Sequence, residues 1–420
     1  MVGSKKTKAA TNSSREELDL SEVSRPINID SSDFEKIVNE IARDEKERRK
    51  GETRKNPYYA IKLIKESGLG AIQLPKKYGG NNASVRDLLY VVMRLAEADP
   101  DVAHILRFHY SFVERLLRET NRQTDNNKLL EKIAAGVIIG NAYTEINNRN
   151  VGGQNLFDTT LTPDEDGYRL KGTKYFCTGT LYADLVAVLA SNLDGTPVSL
   201  LIPTNREGVI IEDDWDGIGQ KLTGSGTTHF QNVFVQKEEV KKLSDNSTRF
   251  SSLLQLYLHG IIAGILRSVV SDGANIVKSR KRTFSFAAAK LPREDPQLLQ
   301  TLGEISSIAF TAESLIYVAA DAIDRASKSA VNGVVNYSLS HHASLLAAQT
   351  KVVVDELALK ASTLLFDVGG ASATKQSAHL DRHWRNIRTL ASHNPTIYKA
   401  RIIGDYRVNG KDLPLQKGYL

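Results

Sequence analysis

Apolar positions along the chain change their period twice. From Ser31 to about Ala135 they recur at helical spacing. Phe34, Ile37, Val38 and Ile41 follow a Ser31/Ser32 cap, Val85, Leu88, Leu89, Val92, Leu95 and Ala96 form a second stripe, and Val102 to Leu117 a third. Pro75 and Gly79-Gly80 punctuate the loop before the second stripe. Between about Gly136 and Val240 the period shortens to β-rich runs at 137–139, 168–170, 185–189, 198–202 and 229–235. Asp166-Gly167, Asp194-Gly195 and Gly224-Ser225-Gly226 stand where such a sheet would reverse. From Ser247 to about Ser392 long helices return, expected over Leu253–Lys278, Pro296–Ala326, Tyr337–Phe366 and Thr374–Ala391, and four helices of that length form a bundle. The pattern predicts a disordered tail over 1–28, a helical domain over 29–135, a β domain over 136–245, and a four-helix bundle with its tail over 246–420.

Composition adds limits. Hydrophobic residues at 41% and charged residues at 25% are globular values, which excludes wholesale disorder and fibrous repeats. The single cysteine, Cys177, excludes an internal disulfide framework and a cysteine-based zinc cluster and fits a reducing compartment. The N-terminal residues carry Lys5, Lys6 and Lys8 but lack the apolar stretch of a secretory signal. Uninterrupted apolar runs such as Gly136–Gly140 and Gly260–Leu266 fall short of the roughly 20 residues that cross a bilayer, and the chain does not end in Ser-Lys-Leu. A soluble cytoplasmic protein without a membrane partner is expected. The net charge of +6 does not point to nucleic acid, because basic and acidic residues alternate, as in Arg43 to Lys50, in the manner of a solvated helix face.

Four motifs in order give this layout a specific meaning: Leu74-Pro75-Lys76-Lys77-Tyr78-Gly79-Gly80; Tyr143-Thr144-Glu145; Gly172-Thr173-Lys174-Tyr175-Phe176-Cys177-Thr178-Gly179; and Ile218-Gly219 with Gly224-Ser225-Gly226-Thr227-Thr228. The chain resembles the acyl-CoA dehydrogenase superfamily, whose fold is mainly α with a central β domain: an N-terminal helical domain, a middle β-barrel and a C-terminal four-helix bundle. The C-terminal stretches Asp367-Val368-Gly369-Gly370-Ala371-Ser372, Asp381 to Thr389 and Ser392-His393-Asn394-Pro395 resemble the dibenzothiophene monooxygenase and sulfur-acquisition branch. That branch implies reduced FMN supplied by a separate NAD(P)H:flavin reductase, and oxygenation of a small, sulfur-containing substrate through a C4a-hydroperoxyflavin.

A dehydrogenase of this fold needs a carboxylate base beside the flavin. The resemblance puts that base six residues beyond an Arg, which from Arg388 lands on Asn394, or on the first bundle helix, where Ser247 to Ser271 contains no Asp or Glu. His393 stands beside the vacant seat, and an imidazole with an ordinary pKa near 6.5 can donate or accept a proton at neutral pH.

The site the resemblance implies has His393, Thr178, His109 and Asn141 as catalytic residues. Tyr143, Thr144, Phe176, Thr178, Ser225, Arg282, Gly369, Gly370, Ser372, His393 and Asn394 bind the flavin. Thr178 bonds near N5, Asn141 faces the substrate, and the Arg282 fork with the Gly369-Gly370 amides takes phosphate. His393 can instead be a surface loop residue, His109 a satisfied core group, and Arg282 a solvated helix end. Members of the branch often carry Arg where Ser372 stands, a departure that does not favour FAD. Two other functions stay open: an FAD-dependent acyl-CoA dehydrogenase or nitroalkane-type oxidase, and a non-catalytic helical assembly module. Bundle helices apolar on more than one face, as over Leu253–Val270 and Leu345–Leu365, predict a homotetramer.

Overall fold

The structure is a computed structural model that describes residues 18, 26–51, 55–119, 125–146, 157–242, 251–331 and 334–415. The tail expected over 1–28 lies almost wholly outside the described residues. Its end belongs to the fold, since Ile27 is buried in the helical core and its carbonyl accepts from the Asn81 amide.

Helix α1 (Ser32–Lys50) begins where Ser31 Oγ accepts from Phe34 N, with Asp33 and Glu35 in its first turn and Arg48, Arg49 and Lys50 in its last. Helix α2 (Tyr58–Ser67) follows, and α3 (Val85–Ala98) starts on a capping box between Ser84 and Asp87. The third apolar stripe is not one helix. Asp99 caps a short α4 (Pro100–Ile105), Leu106 ends it, and α5 (Arg107–Glu119) starts afresh. Helix α6 (Asp125–Ala134) completes this part.

The middle of the chain holds β1 (Ile139–Ala142), β2 (Thr160–Asp164), β3 (Gly167–Lys174), β4 (Leu185–Asn192), β5 (Pro197–Pro203), β6 (Val209–Ile211), β7 (Thr228–Gln236) and β8 (Val240–Lys242). They form one sheet in the order β6-β7-β3-β2-β4-β5-β8, with β1 parallel to β4. Among the described strands the ladder runs from β6 to β8, and this eight-stranded sheet is the central β domain expected. The short strands β2, β6 and β8 escaped the apolar pattern. Gly224 to Gly226 form no tight hairpin, but lie in the long connection from β6 to β7.

The bundle consists of α7 (Ser251–Ser279), α8 (Pro296–Lys328), α9 (Tyr337–Gly369), α10 (Asp381–Ala391) and α11 (Thr396–Asn409). The helix expected over Thr374–Ala391 starts late. Residues 370–378 run through 3-10 turns, and Gly370 and His379 take φ of +59° and +50°, which interrupts the α-helical ladder. Against the expectation from uninterrupted runs, Ser252–Ser279 and Pro296–Lys328 are long and apolar enough to cross a bilayer. Their averages tolerate scattered polar residues, and 78% of the first window is buried inside this fold, against 44% of the second. Helices α1 to α5 and α7 to α9 share one hydrophobic core, while the sheet has its own, built on Leu161, Leu170, Val186, Val188, Phe230 and Val233.

Candidate active site

Two segments of the β domain meet at the sheet's edge. The chain leaving β3 and the connection entering β7 are stitched by Cys177 N to Gly226 O (3.1 Å) and Gly179 N to Thr223 O (2.9 Å). Gly179, at φ +80°, lies so close to α4 that a Cβ there would meet Ile105 O at 2.4 Å. Phe176 is held at φ +56°, costly for an aromatic residue, with 55% of its surface exposed and its ring edge-on to Trp215 at 6.1 Å.

Beside it lies a row of hydroxyls. Thr223 Oγ1 donates to Gln220 O (2.9 Å), which also accepts from Trp215 Nε1 (2.9 Å). A hydroxyl has one proton. Thr223 has therefore spent its own, so Ser225 Oγ must donate to Thr223 Oγ1 at 2.7 Å and Thr178 Oγ1 to Ser225 Oγ at 2.8 Å. The row runs one way, from Thr178 to Gln220, and leaves Thr178 with lone pairs only.

Where the connection from β6 to β7 meets the helices, further residues join the site that the sequence pattern did not single out. Gln220, 1% exposed and at φ +50°, receives a hydrogen bond on Oε1 from His104 Nδ1 (3.1 Å) and donates its backbone N to Asn386 Oδ1 (2.8 Å). Burial, then the charge of Arg107, pushes His104 down to about 3, so its ring is neutral. Arg107 is anchored by Nε to Leu254 O (3.0 Å), and its Nη1 lies 3.1 Å from His393 Nε2. A guanidinium only donates, so His393 accepts on Nε2 and carries its proton on Nδ1. Loss of solvent, then Arg107, His104, Lys351 and Lys399, hold His393 well below its usual range. The residue is itself exposed, so these neighbouring positive charges weigh more than loss of solvent in keeping it neutral. The expected donor-or-acceptor imidazole is thus a neutral ring with a fixed proton. His104, Arg107, Trp215, Gln220 and Thr223 went unnoticed because no periodicity marks them. Their one sequence signal is the Asp99-Pro100 helix start that aims His104 and Arg107.

Other expected residues separate into groups. Asn141 is the third residue of β1, its carbonyl held by Thr180 Oγ1 at 2.8 Å. Thr144 bridges to Tyr175, and the Tyr143 ring meets Phe108 edge-on at 5.1 Å. Asn394 is buried and donates to Gln255 Oε1 of α7 (2.8 Å). His109 is not at the cleft: fully buried, it donates from Nε2 to Gly70 O (2.8 Å) and accepts on Nδ1 from Ile139 N (3.2 Å). It is the satisfied core group. Arg282, Gly369, Gly370 and Ser372 lie elsewhere too. Arg107 and Asn394 touch the first turns of α7, whereas Arg280 Nη1 reaches Val368 O (3.0 Å) past its last turn and Gly369 lies against Ile276. The helix has 29 residues and is roughly 43 Å long at 1.5 Å per residue. One chain does not bring both groups to one flavin.

Four buried polar atoms around the cleft have no hydrogen-bond partner: Tyr143 Oη, His104 Nε2, Gln220 Nε2 and Asn394 Oδ1. Each such atom costs about 1–3 kcal/mol. Donors and acceptors are both represented, as a heteroaromatic ring with N–H, N and C=O groups requires. With the exposed Phe176–Trp215 corner and the Thr178 acceptor, these residues fit a flavin.

Comparisons with known proteins agree with this geometry. Residues 30–137, 142–233 and 257–396 match the family models of the acyl-CoA dehydrogenase N-terminal, middle and C-terminal domains. The chain is 28% identical over 365 residues to a dibenzothiophene monooxygenase of Rhodococcus qingshengii, covering 83% of this chain and 86% of that protein. It is 29% identical over 361 residues to a probable FMNH2-dependent monooxygenase, SfnC, of Pseudomonas putida, covering 83% and 87%. The crystal structure of TdsC from Paenibacillus sp. A11-2 with FMN and indole superposes with a TM-score of 0.83 at 26% identity, over 93% of this chain and all of that one (100%).

Proposed function

The chain belongs to the acyl-CoA dehydrogenase family, and from that premise we propose that it is a two-component flavin-dependent monooxygenase, which takes reduced FMN from a separate NAD(P)H:flavin reductase and adds oxygen to a small substrate. The observation that carries this reading is the one-way hydroxyl row. Thr178 is left as an acceptor, and reduced flavin carries a ring N–H where oxidised flavin carries a lone pair. When bound, reduced FMN supplies the electrons that activate O2. Thr178 orients the ring, Tyr143, Phe176 and Trp215 cover it and exclude water, and Asn141 faces the substrate. His393, neutral and with its proton on Nδ1 because Arg107 occupies Nε2, donates a hydrogen bond to oxygen, while the transferred proton itself comes from solvent. Thr144 and Asn394 complete the ring contacts. The dehydrogenase alternative lacks its base, since the first acid of α7 is Asp272, which is engaged with Arg382 and His383.

Arg282, Gly369, Gly370 and Ser372 serve as the phosphate end of the site of a neighbouring copy in a homotetramer. The exposed Phe284, Phe286, Phe310 and Val318 on and before α8 support such an assembly. Relatives that act on dibenzothiophene make sulfur compounds the first substrate class to test, and dependence on a pyridine-nucleotide reductase suits a cytoplasmic enzyme. Anaerobic titration with reduced and oxidised FMN, followed by oxygen uptake over a panel of sulfur compounds with an added reductase, tests the reading. Tighter binding of reduced FMN and formation of an oxygenated product are expected; acyl-thioester oxidation with bound FAD overturns it. Light scattering that gives a monomer at micromolar concentration removes the tetramer.

A further inference from the structure

We propose that the cleft where the end of α1, the end of α7 and residues 377–382 meet is a second binding site, which takes a phosphate-bearing anion. The cleft encloses about 610 Å³, room for a nucleotide-sized ligand. Five cations line it, Lys46, Arg49 and Lys50 from α1, Lys278 from α7 and Arg382 from α10, against one carboxylate, Asp272. That carboxylate is committed: it accepts from Arg382 Nη2 at 2.6 Å and from His383 Nε2 at 2.8 Å. Arg49 has Glu45 behind it at 3.4 Å, outside the cleft lining.

Cations at helix C-termini often do no more than complement the helix dipole. Here two helix ends from opposite parts of the chain and a third element point their cations into one cavity. Burial, and next the charge of Arg382, lower the proton affinity of Arg49. Asp272 meets Arg382 and Glu45 meets Arg49, so the excess positive charge of the recess lies with Lys46, Lys50 and Lys278 beside them, an arrangement that a multivalent anion relieves. Guanidinium forks and ammonium groups, with Asn275 and Ser377 as neutral donors at the rim, suit phosphoryl oxygens. Arg282, Gly369, Gly370 and Ser372 do not line the cleft, which separates it from the phosphate end assigned above to the flavin.

The test is calorimetric titration of the purified full-length protein, without FMN and saturated with it, using ATP, inorganic phosphate and, as control, chloride at constant ionic strength. Binding of ATP or phosphate in both flavin states and none of chloride is expected. Tighter ATP binding assigns a nucleotide, and equal binding assigns free phosphate. The exposed pair of changes K50Q and K278Q should weaken binding at least tenfold without lowering the melting temperature of the ligand-free protein. If that double variant is unstable, K278Q alone carries the comparison, with a smaller loss expected. Displacement of ATP by FMN would show the cleft to be the flavin's own phosphate seat, and wild-type affinity in the folded variants would leave it a solvated basic surface; either result overturns the proposal. Because the reading does not depend on turnover, it can fail while the oxygenase assignment stands.

Discussion

The two ends of α7 treat charge in opposite ways. At its first turns the helix carries no acid, and the charges near it are balanced or tied down: Arg107 is held by Leu254 O and His393, and Lys351 is paired with Asp355, which also meets His259. At its last turns Asp272 holds Arg382 and His383, and cations crowd the surface. The difference follows from what each end must do. A cleft where oxygen reacts needs groups whose protonation does not drift; burial keeps His104 neutral, and the positive charges of Arg107, Lys351 and Lys399 oppose a proton on the exposed His393. The far end has no such constraint, and gathers charges for which solvent or a ligand compensates.

The strongest way to break this contrast is at His393. If the first-turn end is the reacting end, His393→Ala should leave FMN affinity nearly unchanged and lower product formed per NADH by about 10²-fold, the scale of a lost hydrogen bond to the reacting oxygen. Hydrogen peroxide should take the place of product. Wild-type coupling in this variant would remove His393 from the mechanism and leave the neutral His104 as the remaining histidine of the cleft.

Thr178→Ala should cost turnover roughly five- to hundredfold, equivalent to about 1–3 kcal/mol for one lost buried hydrogen bond. Folding should be spared, because Ser225 keeps its donation to Thr223 and loses only one incoming hydrogen bond. Its sharper companion is Ser225→Ala, which frees Thr178 to reorient. The ratio of oxidised to reduced FMN dissociation constants should then fall toward one, and an unchanged ratio would deny the one-way row.

At the charged end, Arg282→Gln should raise the FMN dissociation constant by about tenfold, one charge-assisted bond, with turnover at saturating flavin preserved. A loss of turnover without a loss of affinity would place Arg282 at the reacting end and erase the contrast.

A further test of the buried end concerns stability against pH. His104 titrates at about 3 and His109 at about 4 in the folded chain, against about 6.5 unfolded. Below about pH 6.5 the unfolded chain takes up protons that the folded one refuses. Stability is therefore complete above that pH and is lost progressively as pH falls, down to about pH 4 for His109 and about pH 3 for His104, by about 2 kcal/mol per histidine at pH 5. A melting temperature equal at pH 7 and pH 5 would contradict the dry environment assigned to both rings.

Much of this was legible in the residues. Periodicity located most of the long helices because a buried face must repeat every turn, and Ser31 marked a helix start by the side-chain oxygen that a cap requires. The motifs around Thr178, Ser225 and His393 marked one family. What they left open was direction and place. His109 reads in sequence as well as His393 does, yet its ring is bracketed by Gly70 O and Ile139 N, partners 39 and 30 residues away along the chain. The row from Thr178 through Ser225 and Thr223 acquires its one-way order only because Gln220 O is there to accept. The separation of Arg282 and Gly369 from Thr178 is set by the length of α7, a rigid spacer that local patterns cannot measure. Local patterns determine which segments become helix or strand; which polar atoms are left without partners, and on which side of the molecule, is a sum over contacts distant in sequence that only the folded chain completes.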